Sequence, residues 1–282
     1  MAIQSTRLGS NQISLTVQRY VARTEQTVLK TLGRLSSGLR TMSASDDAAG
    51  LAISERLRAR VRGVAQAQRN ANDGVSLLQT ADGSLAEIAD MLVRMRELAV
   101  EAANGTLGTS DRAPLNDEFV ALRSEVDRIA NVTEYNNLHL LDGSLSSGVT
   151  MHVGVDNSAY DRITISVGSA RATAIGLSGG MTLSTVTGAQ NALALIDSAI
   201  DDVSSDRGDV GAYENRLYAS INNLATMYEN YSAARSRIAD ADIAQETAIF
   251  ARTQILMQAG VSMLSQANQL PAMALMLIEK AT

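Results

Sequence analysis

Apolar residues recur at helical spacing over most of the chain. Leu8, Leu15, Ala22 and Leu29 lie seven apart, and Val21, Val28 and Leu35 form a neighbouring series. This predicts a packed helix seam at the N-terminus. Ser36-Ser37-Gly38 interrupts it with weak helix formers. Ser43-Ala44-Ser45-Asp46-Asp47 restarts it, with Ser45 as N-cap and two carboxylates suited to the helix dipole. Leu57, Val64, Ala71, Leu78, Leu85, Leu92 and Ala99 then follow at strict seven-residue intervals. They predict a helix of about 55 residues, about 80 Å long at the usual rise, and hence an elongated molecule. Gly50, Gly63, Gly74 and Gly83 lie inside it and are explained by bends or close helix approach. Asn104-Gly105-Thr106 stops the pattern, and a shorter helix is expected from about Asp111 to Ala130, with Pro114 tolerated in its first turn.

Between Asn136 and Gly188 the period changes to two. Val149, Met151, Val153 and Val155 alternate with Thr150, His152 and Gly154, and Ile163, Ile165 and Val167 alternate with Thr164 and Ser166. Asp156-Asn157-Ser158 supplies a turn, so one β-hairpin is expected. Heptads resume with Ile196, Val203, Val210, Leu217, Leu224, Tyr231 and Ile238, then Ile249, Leu256, Met263, Leu270 and Leu277. The fold class is therefore mainly α: an elongated antiparallel helical bundle or coiled coil with one small β-hairpin insertion. Leu57, Leu78, Leu92, Leu217 and Leu224 form the expected core seam. Leu8, Leu15, Leu29, Leu256, Met263 and Leu270 form the expected stripe on the terminal helices. These stripes either pair with each other in one subunit or also meet other copies, and periodicity does not choose between the two.

Composition narrows the chemistry. Of 282 residues, 45% are hydrophobic but only 3% aromatic, so the core must be aliphatic and suits long packed helices. Two prolines leave long stretches without an obligatory helix break. The absence of cysteine excludes thiolate metal sites, disulfides and cysteine nucleophiles. A net charge of −6 disfavours nucleic acid as a partner. His139 and His152 are far apart and carry no HExxH motif. Asp197, Asp201, Asp202, Asp206 and Asp209 lack the glycine and terminal glutamate of a calcium loop and read as a solvated helix face. No phosphate-binding glycine loop and no GxSxG elbow occur, so no enzyme activity, cofactor or metal is expected. The chain starts without a basic segment followed by an apolar one, and its longest apolar run, Leu270 to Ile278, falls short of the ~18 residues of a membrane span. Arg94, Arg96 and Glu97 among Met91, Leu92, Met95 and Leu98 read either as an outward polar face or as a protein-contact patch.

Several blocks together carry a resemblance. They are Leu35-Ser36-Ser37-Gly38-Leu39-Arg40, Ser45-Asp46-Asp47-Ala48-Ala49-Gly50-Leu51-Ala52-Ile53, and Arg96-Glu97-Leu98-Ala99. Tyr135-Asn136-Asn137-Leu138 and Leu140-Leu141-Asp142-Gly143 follow. Gly211-Ala212-Tyr213-Glu214-Asn215-Arg216-Leu217, Ser236-Arg237-Ile238-Ala239-Asp240-Ala241-Asp242 and Gln266-Ala267-Asn268-Gln269-Leu270-Pro271 complete the set. The chain resembles bacterial flagellin, with Tyr135 in place of the usual Phe and Asn137 in place of the usual Gly. The resemblance implies a structural subunit that polymerises into the flagellar filament and drives swimming. It implies an extracellular location, reached through the flagellum's own channel without a cleaved signal peptide. The partners it implies are other copies of the chain, the export apparatus, a flagellin chaperone, the hook-associated junction and cap proteins, and the vertebrate Toll-like flagellin receptor. It implies no nucleic-acid partner and no membrane insertion.

The resemblance also implies an inner-tube domain from residues 1–42 and 238–282, ordered on assembly. A rod domain of residues 43–237 would carry the hairpin at about 142–188 and no outer variable domain. Arg94, Leu98 and Glu118 fall on the family's protofilament and receptor contact positions. Departures lie at the ends, in Ser5-Thr6-Arg7-Leu8-Gly9-Ser10-Asn11 and in the run Leu275 to Thr282. The alternative is a hook–filament junction adaptor, which tends to have Asp-Asp-Pro where this chain has Asp46-Asp47-Ala48 and lacks Arg-Glu-Leu-Ala. A secreted coiled-coil translocator would need a longer apolar hairpin.

Overall fold

The computed structural model describes the backbone of residues 11–279 and the side chains of residues 11–269. Its helices are α1 (Gln12–Ser37), α2 (Ala48–Ala102), α3 (Thr109–Val132), α4 (Val186–Ala239) and α5 (Ile243–Glu279). Two small antiparallel sheets lie between α3 and α4: β1 (Glu134–Tyr135) with β2 (Leu138–His139), and β3 (Val149–His152) with β4 (Arg162–Ile165). The chain packs as two compact units. The first comprises residues 1–59 and 231–282, the second residues 60–230.

In the second unit, α2 buries Val64, Ala67, Ala71, Val75, Leu78, Ala81, Leu85, Ile88, Leu92, Met95 and Ala99. The steps of three and four are those of a coiled-coil seam. The seam of α4 runs antiparallel to it through Ala189, Ala192, Ile196, Ala199, Val203, Val210, Leu217 and Leu224. Arg207–Asp82 at 2.8 Å and Arg96–Asp197 at 2.6 Å bridge the two helices outside the seam. Gly74 marks a close approach, since a Cβ there would lie 3.1 Å from Leu217 Cδ1. Four of the five expected seam leucines are buried here. Leu57 is the exception: it is only partly covered and belongs to the other unit.

Helix α3 adds Phe119, Val126 and Ala130 to this core. Buried Arg112 donates to the carbonyl oxygens of Ala102 and Asn104 at 2.8 and 2.9 Å, satisfying acceptors left over where α2 ends. The expected hairpin is present as β3–β4, with Val149 opposite Ile165 and Met151 opposite Ile163. The second sheet, β1–β2, is additional to the one hairpin expected. Its two-residue strands are too short to show alternation. Its turn residues Asn136 and Asn137 both sit at positive φ, 50° and 62°, as a two-residue hairpin of primed type requires. Asn tolerates this conformation better than other non-glycine residues, which explains how Asn137 stands where Gly is usual.

In the first unit, α1 and α5 pair antiparallel. Asn11 Nδ2 donates to Ala267 O at 2.8 Å near one end of α1, and Arg34 meets Glu246 near the other. Beyond them the chain segments after α1 and after α4 join in a short β-bridge, Leu39 with Asp240. Arg40 N donates to Ala239 O at 2.7 Å and Ala241 N to Gly38 O at 2.9 Å. Gly38, at φ 69°, ends α1 in the left-handed conformation that favours glycine.

Candidate assembly surface

The residues of α1 that face α5 are Ser14, Val17, Val21, Thr24, Val28, Thr31 and Leu35, all at least half-covered. They step by three and four, as a paired helix requires. The seam therefore follows the Val21–Val28–Leu35 series. The series Leu15, Ala22 and Leu29, the other half of the expected terminal stripe, lies one position out of phase and faces outward. On α5 the covered positions include Glu246, Thr253, Met257, Gly260, Leu264 and Ala267, again offset from Leu256 and Met263. Leu8 lies outside the described residues, as does the side chain of Leu270.

This seam is narrow and polar. The buried residues of α1 are Ser14 and Thr31. Those of α5, among the described side chains, are Glu246, Thr253 and Ala267. Thr253 Oγ1 turns back to Ile249 O at 2.8 Å, and Thr31 Oγ1 turns back to Thr27 O. Gly260 lets α1 in close, since a Cβ on it would lie 2.8 Å from Val21 Cγ2. Neither helix fully buries a large apolar side chain among its described residues. Meanwhile Leu15 is 56% exposed, Leu29 62%, Leu256 53% and Met263 56%. Tyr20, Leu32, Ile255 and Val261 are exposed as well. Single exposed apolar residues need no explanation, but a set repeated along both helices marks a contact surface. Covering a half-exposed Leu contributes roughly 1 kcal/mol.

A second patch lies in the other unit. Arg94, on α2, reaches Glu118 on α3 at 2.8 Å and Glu97 at 3.0 Å. Glu97 first, then Glu118, holds the guanidinium's pKa above its ordinary value. All three side chains are exposed, so the pairing adds little stability. The structure brings Arg94 and Glu118 together but corrects Leu98. That side chain is 1% exposed and lies in the core beside the Met95–Ala99 seam, so it presents nothing to a partner. A spacing of four suggested a shared face, but Arg94 lies at the solvent edge of that face and Leu98 at its buried edge.

Apolar periodicity missed the polar members of these surfaces. Arg34 and Glu246 form an ion pair within the α1–α5 seam at 2.9 Å, Arg112 caps α2, and Arg40 Nη2 donates to Ile238 O at 2.8 Å. No signal in the hydrophobic pattern singles them out. Among the described residues no cluster of His, Asp and Glu could hold a metal ion, and no helix is long and apolar enough to cross a membrane.

A helical subunit whose two terminal helices share a polar seam and, among the described side chains, keep Leu15, Leu29, Leu256 and Met263 in solvent belongs to the class of self-associating structural proteins. Residues 9–146 match the bacterial flagellin N-terminal helical region, and residues 193–278 match the C-terminal helical region. The chain is 45% identical to a flagellin of Halalkalibacterium halodurans over 88% of its length and 91% of that protein's. It is 38% identical to the flagellar filament core protein flaB2 of Brachyspira hyodysenteriae over 96% of its length and 99% of that protein's. The crystal structure of Bacillus cereus flagellin superposes with a TM-score of 0.50 at 30% identity, covering 59% of this chain and 94% of that one. The chain belongs to the bacterial flagellin family, a family of structural proteins, and is a subunit of the extracellular flagellar filament. Nothing in these similarities favours a hook–filament junction adaptor.

Proposed function

We propose that the outward faces of α1 and α5, with Leu15, Leu29, Leu256 and Met263, are the surface through which copies pack along the filament's inner tube. The observation that carries this reading is the absence of any fully buried large apolar side chain from either helix among the described residues. Helices of 26 and 37 residues need tertiary packing to be stable. Neighbouring copies supply what one chain does not. On this reading residues 1–42 and 238–282 form the inner tube and residues 43–237 the rod around it. The test is growth on filament fragments. Leu29→Asp and Leu256→Asp leave the α1–α5 seam intact and should abolish elongation while the second unit keeps its helix content and melting temperature. Elongation at the parent rate would refute the assignment.

Family membership also supports export through the flagellar channel without a cleaved signal, with the export apparatus, a chaperone, and the junction and cap proteins as partners. A chain without cysteine threads such a channel with no disulfide to trap it. The exposed Arg94–Glu118 pair is the proposed contact for a neighbouring protofilament and, in free subunits, for the Toll-like flagellin receptor. Arg is enriched among the few interface residues whose truncation costs about 2 kcal/mol or more, and Arg94 is proposed as one of them. Arg94→Ala should therefore weaken receptor activation by monomer at least about tenfold. Activation equal to the parent's removes the site.

A further inference from the structure

The α1–α5 seam carries one feature that packing does not explain. Arg34 and Glu246 are 23% and 9% exposed, whereas the helix-bridging pairs of the other unit lie between 41% and 51%. Arg34 Nη1 reaches Glu246 Oε1 at 2.9 Å, yet Arg34 Nε and Glu246 Oε2 are buried without a hydrogen-bond partner. Such a pair is poor value as a stabiliser, because desolvation offsets the attraction and two polar atoms stay unsatisfied. Much of the rest of the seam says little about register, since Ser14, Val17, Val21, Thr24, Val28, Thr31 and Ala267 are small or β-branched; Gly260 against Val21, and the backbone bonds Ala241 N to Gly38 O and Arg40 N to Ala239 O, mark the same alignment as the ion pair. A slip of seven residues moves the Glu246 carboxylate two helical turns from the Arg34 guanidinium. It would set Arg34 against Thr253 in one direction, or past the start of α5 at Ile243 in the other. At the far end Ser14 Oγ donates to Asn268 Oδ1 at 2.8 Å, a polar layer that a slip would break as well.

We propose that the Arg34–Glu246 pair is a register lock: it specifies the alignment at which α1 meets α5, while contributing little to the stability of the pairing. This rests on the assignment of α1 and α5 to the assembly surface only in its consequence. A locked register aligns Leu15 and Leu29 with Leu256 and Met263 as one surface for the next copy. A slip would present a surface displaced by about 10 Å, seven residues at the helical rise.

The native sequence lacks cysteine, so engineered pairs report register without background. Val21→Cys with Gly260→Cys reads the native register, because Val21 Cγ2 is the atom that faces Gly260. Val21→Cys with Thr253→Cys, and Val21→Cys with Ala267→Cys, read the two one-heptad slips. Each pair is oxidised in the full-length chain, in seeded filaments and in free subunits, and the products are resolved on gels. In the parent background the native pair should dominate. In Arg34→Met/Glu246→Leu, which keeps the volume and removes the charges, a slipped pair should become a major product at unchanged helix content. Arg34→Glu/Glu246→Arg should restore native cross-linking. Native-only cross-linking in the apolar variant overturns the proposal. So does loss of every cross-link with helix retained, because the pair would then hold the helices together rather than choose their alignment. Filament growth and cross-linking pattern are scored separately: filaments that grow from the apolar variant with native-only cross-links overturn the lock and leave the assembly assignment standing.

Discussion

Single side chains in this molecule are tuned by neighbours that sequence spacing does not reveal. Asp206 on α4 is the clearest case. Burial first, then the charges of Asp209 and Asp202, raise its pKa above the ordinary 3.8, while the Gly168 N–H bond works against that rise. A carboxylic acid with a raised folded-state pKa binds its proton more tightly folded than unfolded. Its contribution is fully present below the unfolded value and is lost as pH rises through the folded one. At neutral pH the ionised group therefore opposes folding. Asp206→Asn keeps an acceptor for Gly168 and removes the charge. It should raise the melting temperature of the second unit at pH 7, with the gain shrinking toward about pH 4. Circular dichroism melts at the two pH values check this, and a loss of stability equal at both would contradict it. Asp46 is the opposite case. Lys30 at 2.6 Å lowers its pKa, so that contribution is present at neutral pH and is lost on acidification. The acidic run from Asp197 to Asp209 announced a solvated face, but the partial burial of Asp206 against Gly168 depends on where the chain folds back.

At the scale of elements, heptads were legible and their phase was not. Strict seven-residue series located α1, α2, α4 and α5. In the second unit the seven-residue series of α2 and α4 is itself buried, from Val64 to Ala99 and from Ile196 to Leu224, because apolar residues occupy it while charges occupy the flanks. In α1 two series of apolar residues run side by side. The one made of Val and small polar residues packs against α5, where Gly260 admits a close partner, and the one rich in Leu faces outward. On the proposed reading the Leu series is left for other copies. A chain that polymerises carries two apolar faces on one helix, and hydrophobicity alone cannot rank them. Leu98 was misplaced for a related reason: residues four apart share a helix flank, but the edge of a buried stripe can fall between them. The two Asn residues of the β1–β2 turn were visible as a motif, but strands of two residues leave no period to read.

At the scale of the whole molecule, its two compact units differ in how they are stabilised. The second unit buries large aliphatic side chains along most of α2 and α4 and has its own core. Among the described side chains, the first keeps most Leu, Ile, Met and Tyr residues of α1 and α5 largely in solvent and covers Ser, Thr and an ion pair instead. Hydrophobic burial is the dominant favourable term in folding, so a unit that postpones it is completed by association. On the proposed assembly surface, the ordering of α1 and α5 is coupled to assembly, and its cost is offset when neighbours cover the exposed stripes. Amide hydrogen exchange resolved by segment, on dilute subunits and on filaments of the same chain, tests this most directly. Exchange in α1 and α5 should be fast in the free subunit and slow by orders of magnitude in the filament, while the α2 core from residue 60 to 102 stays protected in both. Equal protection of α1 and α5 in the two states would contradict the account.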